Sequence, residues 1–212
     1  MDINTAPLGY EFTQKELKQQ CRAIYGAVAF PGKREGFAVV IAMDKEKHGD
    51  HYDIHLLDEA ESFDIRELIN FCDGLDRRYE PKIWMGDFSN DAAYPYIGRL
   101  NAERHKKKKR RFNFYRTSIL DKEHLYQSIL TAIKELLDPE NRQLFLKDSK
   151  VATFLSGIEP GEVVDLQFGD YPAIEALAFA MIEMRQRERD FPKRDEEADM
   201  EFVNSYTWQT NA

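Results

Sequence analysis

The sequence predicts a mixed α/β fold in which a sheet of antiparallel and parallel strands is flanked by helices. Within the first 57 residues, three apolar runs are joined by short polar turns, which is typical of an antiparallel meander. Beyond residue 60, short apolar runs alternate with helical patterns, which is typical of parallel strands joined by helical crossovers. With 212 residues, of which 42% are hydrophobic, the chain can build one sizeable core.

The meander follows an N-terminal polar segment, residues 1–20. In that segment Thr13 and Glu16 stand three residues apart, which predicts the cap of a short helix. Apolar and β-branched residues then recur in three stretches bounded by turn residues. The predicted strands are 22–30, 37–43 and 51–57.

Helices dominate the rest of the chain. Ile65, Leu68, Ile69 and Cys72 recur at helical spacing, and Ser62 is the predicted N-cap of their helix. The further predicted elements are a helix ending at Tyr79, a strand at 82–86, a helix at 92–103, a strand at 111–116, a helix from about 121 to 137, a short strand at 143–147, a short helix at 150–155 and a helix at 170–189. We expect one domain over 21–190 and a flexible C-terminal arm over 191–212, where the pattern is lost.

Composition excludes several classes of protein. No apolar run approaches the length of a membrane span, and the N-terminus lacks the pattern of a signal peptide. Cys21 and Cys72 lie far apart and form no CxxC, which favours a reducing cytoplasm and excludes a cysteine zinc site. The chain has neither a Walker-type phosphate loop nor a glycine-rich dinucleotide fingerprint, so we expect no nucleotide cofactor.

Positive charge is concentrated in one place. The formal net charge is −8, yet seven of the eight residues at 104–111 are Lys or Arg, so the remainder of the chain carries −8 − 7 = −15. This density of positive charge favours a loop that contacts the phosphates of DNA, without reading the base sequence. The alternatives are a solvated loop and a loop that docks on a protein partner. The predicted DNA-binding residues are Arg104, Lys106, Lys107, Lys108, Lys109, Arg110 and Arg111.

Two carboxylates are the candidates for catalysis. Asp87 follows the strand at 82–86, and the carboxyl ends of strands are where ligands gather in open α/β sheets. Glu175 lies beside the apolar stripe of the last helix and can point at the sheet. Carboxylates that converge from different elements can bind Mg²⁺ or Mn²⁺. The alternatives are a turn-forming aspartate and a boundary glutamate, and Asp170 fits a helix cap better than a ligand.

A further polar set lies on the third strand. His51, Asp53 and His55 share one face, and His48 and Asp50 precede them. This spacing suits zinc or another transition metal. The polar outer face of an edge strand produces the same alternation, and we favour that interpretation.

The order of elements is that of a ribonuclease H-like sheet, with strand one central, strand four beside it and the final helix packed across both. Three stretches also resemble the nuclease domains of tailed-phage large terminases. They are the strand motif at 82–89, the helix motif at 170–180, in which Glu175 falls on the family's helix aspartate, and the hairpin formed by 24–30 and 37–41.

The resemblance implies a metal-dependent DNA endonuclease domain that acts in phage or prophage genome packaging in the bacterial cytoplasm. It implies Mg²⁺ or Mn²⁺ at Asp87 and Glu175, with Asp170 as a further metal ligand. The implied partners are the DNA backbone and a packaging ATPase or portal, with no role at a membrane.

The sequence departs from the terminase pattern at two positions. The family's strand-one aspartate falls about where Val28 stands, and Pro172 replaces the polar residue before the helix acid. Loss of the strand-one acid leaves a second hypothesis open, a catalytically degenerate ribonuclease H-like domain that docks on DNA or on the packaging complex. A third hypothesis is another ribonuclease H-like enzyme, such as a junction resolvase or an exonuclease.

Overall fold

The fold is described from a computed structural model of the chain. The structure describes residues 1–49, 51–86, 91–116, 130, 133–134, 136–137, 142–157 and 171–187. Asp87, Asp170, most of the helix predicted from about 121 to 137, and the arm at 191–212 lie outside this part of the chain.

Six strands form one sheet in the order β5-β4-β1-β2-β3-β6. They are β1 (Cys21–Ala29), β2 (Gly36–His48), β3 (His51–Ser62), β4 (Trp84–Gly86), β5 (Phe114–Arg116) and β6 (Leu144–Phe145). β2 runs antiparallel to β1 and to β3, whereas the β1–β4, β4–β5 and β3–β6 pairs are parallel. The first five strands have the order and directions of a ribonuclease H-like sheet, so the predicted fold class is confirmed.

The helices cover both faces of this sheet. They are α1 (Gln14–Gln20), α2 (Ile65–Tyr79), α3 (Tyr94–Lys106), α4 (Lys150–Ser156) and α5 (Pro172–Arg187), and a 3₁₀ turn (Asp91–Ala93) precedes α3. The described residues 130, 133, 134 and 136 are also helical. None of the described helices is long and apolar enough to cross a membrane.

The N-caps of α1 and α2 can be compared with the predicted ones, and the first is correct whereas the second is not. Thr13 and Glu16 form the expected capping box of α1, which is confirmed. The predicted cap of α2 is wrong, because the side chain of Asp64, not Ser62, accepts the backbone N–H of Glu67. Ser62 ends β3, and its hydroxyl donates to the Glu67 carboxylate, 2.5 Å away.

Side chains alternate between two apolar cores. Tyr25 and Ala27 of β1 face the core that α5 covers, whereas Ile24 and Val28 face the core that α2 covers. The N-terminal segment packs on the α2 side, where Ile3 is among the buried residues. Helix α5 therefore lies across the sheet on the face opposite to α2.

β3 is not an edge strand along its whole length. Ile54 pairs with Leu144 and His55 pairs with Phe145, so β6 covers the outer side of β3 there. Asp53 and His55 are buried. The interpretation of His51, Asp53 and His55 as the solvated face of an edge strand is therefore wrong, because a strand about 90 residues further along the chain pairs with β3.

Candidate functional site

Three elements meet at one end of the sheet, which we call the carboxyl edge. β1 ends there at Ala29 and the parallel strand β4 ends there at Gly86, which pairs with Val28. Helix α5 begins at the same end, because residues of its first turn and of the β1–β2 turn line one cavity. In open α/β sheets this is the edge at which ligands bind.

Of the three candidate acids, Glu175 is the one that lies in the described part of the chain. It lies in the first turn of α5, its side chain is 4% exposed, and its backbone N–H donates to the carbonyl of Tyr171 at 3.0 Å. Such burial is costly for a carboxylate unless partners or a cation compensate it. Asp87 directly follows Gly86 in the sequence, and Asp170 lies two residues before α5, but both are outside the described residues, so their roles stay predictions.

β1 supplies no carboxylate to this edge. The position expected to match the strand-one acid, Val28, faces the α2 core, while Ala27 and Ala29 face the α5 core. The β4 backbone approaches closely here, since a Cβ on Gly86 would lie 3.1 Å from Val28 Cγ1 and 2.6 Å from Phe114 Cζ. A pair of ions bridged by a strand-one acid therefore does not fit these residues.

A cavity of about 290 Å³ opens at the carboxyl edge. Its lining includes the exposed side chains of Lys33 and Arg34 from the β1–β2 turn, together with Tyr171 at the start of α5. The Arg34 guanidinium lies 5.6 Å from the centre of the Tyr171 ring, within cation–π distance. Lys33 and Arg34 were not among the predicted site residues, although a Lys-Arg dipeptide in the turn after β1 marks them in the sequence. Side chains of this kind can bind a phosphate group, and Glu35 and Glu61 line the same cavity.

The basic run lies at the opposite end of β4 and β5. It spans the last turn of α3 and the loop before Phe114, which pairs with Trp84 at the start of β4. Arg110 donates to the carbonyl of Pro81 at 2.9 Å, and Pro81 stands five residues before Gly86, where β4 ends. At the rise of an extended chain this is about 17 Å. The run is therefore not beside the carboxyl edge.

Two of the predicted DNA-binding cations belong to an internal network. Arg104 is 5% exposed, and its guanidinium donates to Asp73 at 2.8 Å and to Asp76 at 2.6 Å. Asp76 also accepts from Arg110 at 2.6 Å and from the Trp84 indole at 3.1 Å. Burial lowers the pKa of Arg104, but its hydrogen bonds to Asp76 and Asp73 outweigh that effect and raise it, so the guanidinium stays charged.

The Arg110 side chain is itself 39% exposed, and the remaining basic residues of the run are exposed as well. Lys108 has a φ of +52°, a left-handed conformation that turns the chain between α3 and β5. The remaining residues form no ion pair with any residue in the described part of the chain. These free cations are Lys106, Lys107, Lys108, Lys109 and Arg111.

Comparison with known proteins gives matches in structure only. No family model and no curated protein sequence matches the chain. The large terminase nuclease from thermophilic phage G20c is similar to it with a TM-score of 0.48 and 12% identity, covering 86% of this chain and 99% of that one. The large terminase from a second thermophilic bacteriophage is similar with a TM-score of 0.44 and 7% identity, covering 84% of this chain and 43% of that one. No residue role is carried over from either protein.

Proposed function

We propose that this chain is a terminase-like, metal-dependent DNA endonuclease domain that acts in phage genome packaging. The observation that carries the proposal is the buried carboxylate of Glu175 at the carboxyl edge, where β1 and β4 end together and Asp87 follows directly in sequence. The ribonuclease H-like strand order and the terminase-like motifs in the sequence support it.

In this proposal Asp87 and Glu175 would hold one Mg²⁺ or Mn²⁺, with Asp170 as a further ligand. When bound, an ion of this kind would polarise a phosphodiester and lower the pKa of a nearby water. Lys33 and Arg34 lie on the cavity at the same edge, where their charges neutralise the phosphate next to the scissile bond. Apolar packing around α5 holds Glu175 in place.

The free cations at 106–109 and Arg111 extend the DNA contact along the β4–β5 side of the sheet. They lie at the end of β4 opposite to the carboxyl edge. Their contribution is sequence-independent attraction to backbone phosphates. A packaging ATPase or portal that presents DNA to the carboxyl edge is the partner that this arrangement suits.

Plasmid cleavage tests the enzyme. We expect the full chain to nick supercoiled plasmid in Mn²⁺, and we expect Asp87→Asn and Glu175→Gln each to lower the rate by more than about 100-fold. Glu183→Gln is the matched control, because Glu183 is a second buried glutamate of α5, two turns away, and is ion-paired with Arg187. Equal loss in the Glu183 variant would mean that folding, not chemistry, was disturbed.

The apolar character of β1 favours one second candidate, a ribonuclease H-like module that binds DNA or the packaging complex without cleaving. It predicts no nicking in Mn²⁺ together with salt-sensitive DNA binding. We expect Lys106–Lys109→Gln to reduce the slope of log affinity against log salt by about 3 to 4, near 0.9 per lost phosphate contact. The same four positions changed to arginine keep the charge and are expected to keep the slope.

A further inference from the structure

The far end of the β2–β3 hairpin carries a cluster that the proposed nuclease does not use. We call the side chains of Asp44, His48, His51, Asp53 and His55 the hairpin cluster. Asp44 pairs across the sheet with Cys21, the first residue of β1, so the cluster lies at the end opposite to the carboxyl edge. Asp44 stands eight positions after Gly36 in β2, which corresponds to about 25 Å along the strand.

An irregularity in β2 assembles the cluster. Met43 pairs with Ile54 and Lys47 pairs with Tyr52, so four steps along β2 match two steps along β3. The extra residues form a bulge, which bends the strand. In a regular strand, the Cα atoms of residues four apart stand about 13 Å apart. Here the side chains of His48 and Asp44 meet, with His48 Nε2 3.9 Å from Asp44 Oδ2.

The spacing of the donor atoms suits a metal ion. His48 Nε2 lies 3.8 Å from Asp53 Oδ2, and one ligand atom each from Asp44, His48 and Asp53 lie within 4.8 Å of one another. His51 Nε2 is 3.7 Å from Asp53 Oδ1. Ligands at about 2.1 Å from a tetrahedral ion stand about 3.4 Å apart, so a small inward movement of these side chains would complete the shell.

Unsatisfied buried atoms point to the same conclusion. Asp44 and Asp53 are 5% and 6% exposed, and Oδ1 of each accepts no hydrogen bond from any described residue. His55 is 1% exposed, and neither of its ring nitrogens has such a partner. Its Nε2 lies 3.3 Å from Asp44 Oδ1 but is not aligned as a hydrogen bond. Buried polar atoms without partners are rare in folded proteins, and a bound cation would satisfy these.

Ion pairing between the histidines and the two aspartates is the competing explanation. It accounts for His48 and His51, whose side chains reach solvent and lie 3.9 and 3.7 Å from an aspartate oxygen. It accounts poorly for His55, because a charged ring with two unsatisfied nitrogens is costly to bury. The His55 nitrogen that faces Asp44 instead suits the role of a residue that orients a metal ligand.

We propose that the hairpin cluster binds one divalent transition-metal ion of the zinc type. Asp44, His48 and Asp53 are the ligands, His51 or a water completes the shell, and His55 positions Asp44. Imidazole ligands favour such an ion over Mg²⁺ or Ca²⁺, which prefer oxygen. The ion would link the bulge of β2 to β3 and so stabilise the end of the hairpin. This role does not depend on any chemistry at the carboxyl edge.

Calorimetry on the full chain, stripped of metal with a chelator, tests this site. We expect Zn²⁺ to bind with a stoichiometry of one, Co²⁺ to bind with the visible absorption of a tetrahedral complex, and Mg²⁺ not to compete. His48→Ala and Asp53→Asn are each expected to weaken Zn²⁺ binding by more than about 100-fold, and His55→Gln by about 10- to 100-fold, as for an outer-shell partner.

Two controls keep the outcome clear. His105→Ala removes an exposed imidazole on α3 and is expected to leave Zn²⁺ affinity unchanged. Glu175→Gln is also expected to leave it unchanged, so failure of the proposed nuclease would not affect this result. The proposal is overturned if the stripped chain binds no Zn²⁺ at millimolar concentration, or if His48→Ala binds Zn²⁺ as tightly as the unchanged chain. Because His48 is exposed, a loss of Zn²⁺ binding in His48→Ala would not be explained by misfolding.

Discussion

Replacing Asp76 with asparagine is expected to lower the free energy of unfolding by about 3 kcal/mol. Asp76 is 2% exposed and accepts hydrogen bonds from Arg104, Arg110 and the Trp84 indole. Removal of one partner from a buried charge pair costs about 3–5 kcal/mol, because the other charge stays buried. Arg104 keeps its contacts with Asp73, which places the expected cost at the lower end of that range.

Urea unfolding followed by tryptophan fluorescence measures this loss. For a chain of about 200 residues, 1 kcal/mol corresponds to about 2–4 °C in Tm, so the melting temperature is expected to fall by about 6–12 °C. Arg77→Gln is the matched control, because it removes an exposed partner of Asp73 at 2.9 Å, and surface pairs contribute less than about 1 kcal/mol. A loss below about 1 kcal/mol in Asp76→Asn would refute the stabilising role of the network that joins Asp76 to Arg104 and Arg110.

Three further predictions follow from local features. Gly26→Ala is expected to destabilise the protein by about 1–3 kcal/mol, because the new Cβ would lie 2.6 Å from the Trp84 side chain. A double-mutant cycle with Trp84→Leu checks this reason. A smaller cost of Gly26→Ala in the Trp84→Leu background would support the clash, and an unchanged cost would contradict it. Hydrogen bonds from Thr13 lower the pKa of Glu16 to about 2, so the capping box stabilises α1 above the ordinary pKa of 4.5 and that contribution is lost as the pH falls toward 2. The protection factors of the α1 amides, which correct for the intrinsic exchange rate at each pH, are expected to fall over that range, and unchanged protection would exclude the capping role. Burial raises the pKa of the Cys72 thiol well above its ordinary value, so a thiol reagent at pH 8 is expected to modify Cys72 only after denaturation. Rapid modification of Cys72 in the native chain would contradict the placement of this residue in the core.

The sequence predicted the ribonuclease H-like sheet because its main signals are local. Apolar alternation marks β1 to β3, and helical spacing marks α2 and α5, so each element can be recognised from its own residues. The Thr13–Glu16 capping box is equally local, and it was predicted correctly. The cap of α2 was placed two residues early because Ser62 and Asp64 are both good capping residues, and only the length of β3 decides between them.

The candidate site was predicted less completely. The position of Glu175 on the last helix follows from helical spacing, but its burial at the carboxyl edge depends on how α5 crosses the sheet. From the sequence alone, the run at 104–111 predicts one continuous basic surface. Helix α3 continues to Lys106 and turns Arg104 inward onto α2, so the run divides into internal and exposed cations, a distinction that depends on packing between elements.

What the sequence determined by itself is the set of elements and their order, because periodicity and caps depend on residues a few positions apart. What only the tertiary structure decided is which polar side chains meet. His55 becomes buried because β6, about 90 residues later, pairs with β3, and Asp44 reaches His48 because β2 bulges. The first event depends on pairing between strands that are distant in sequence, and the second depends on an irregular register within a hairpin. No short stretch of sequence specifies either one.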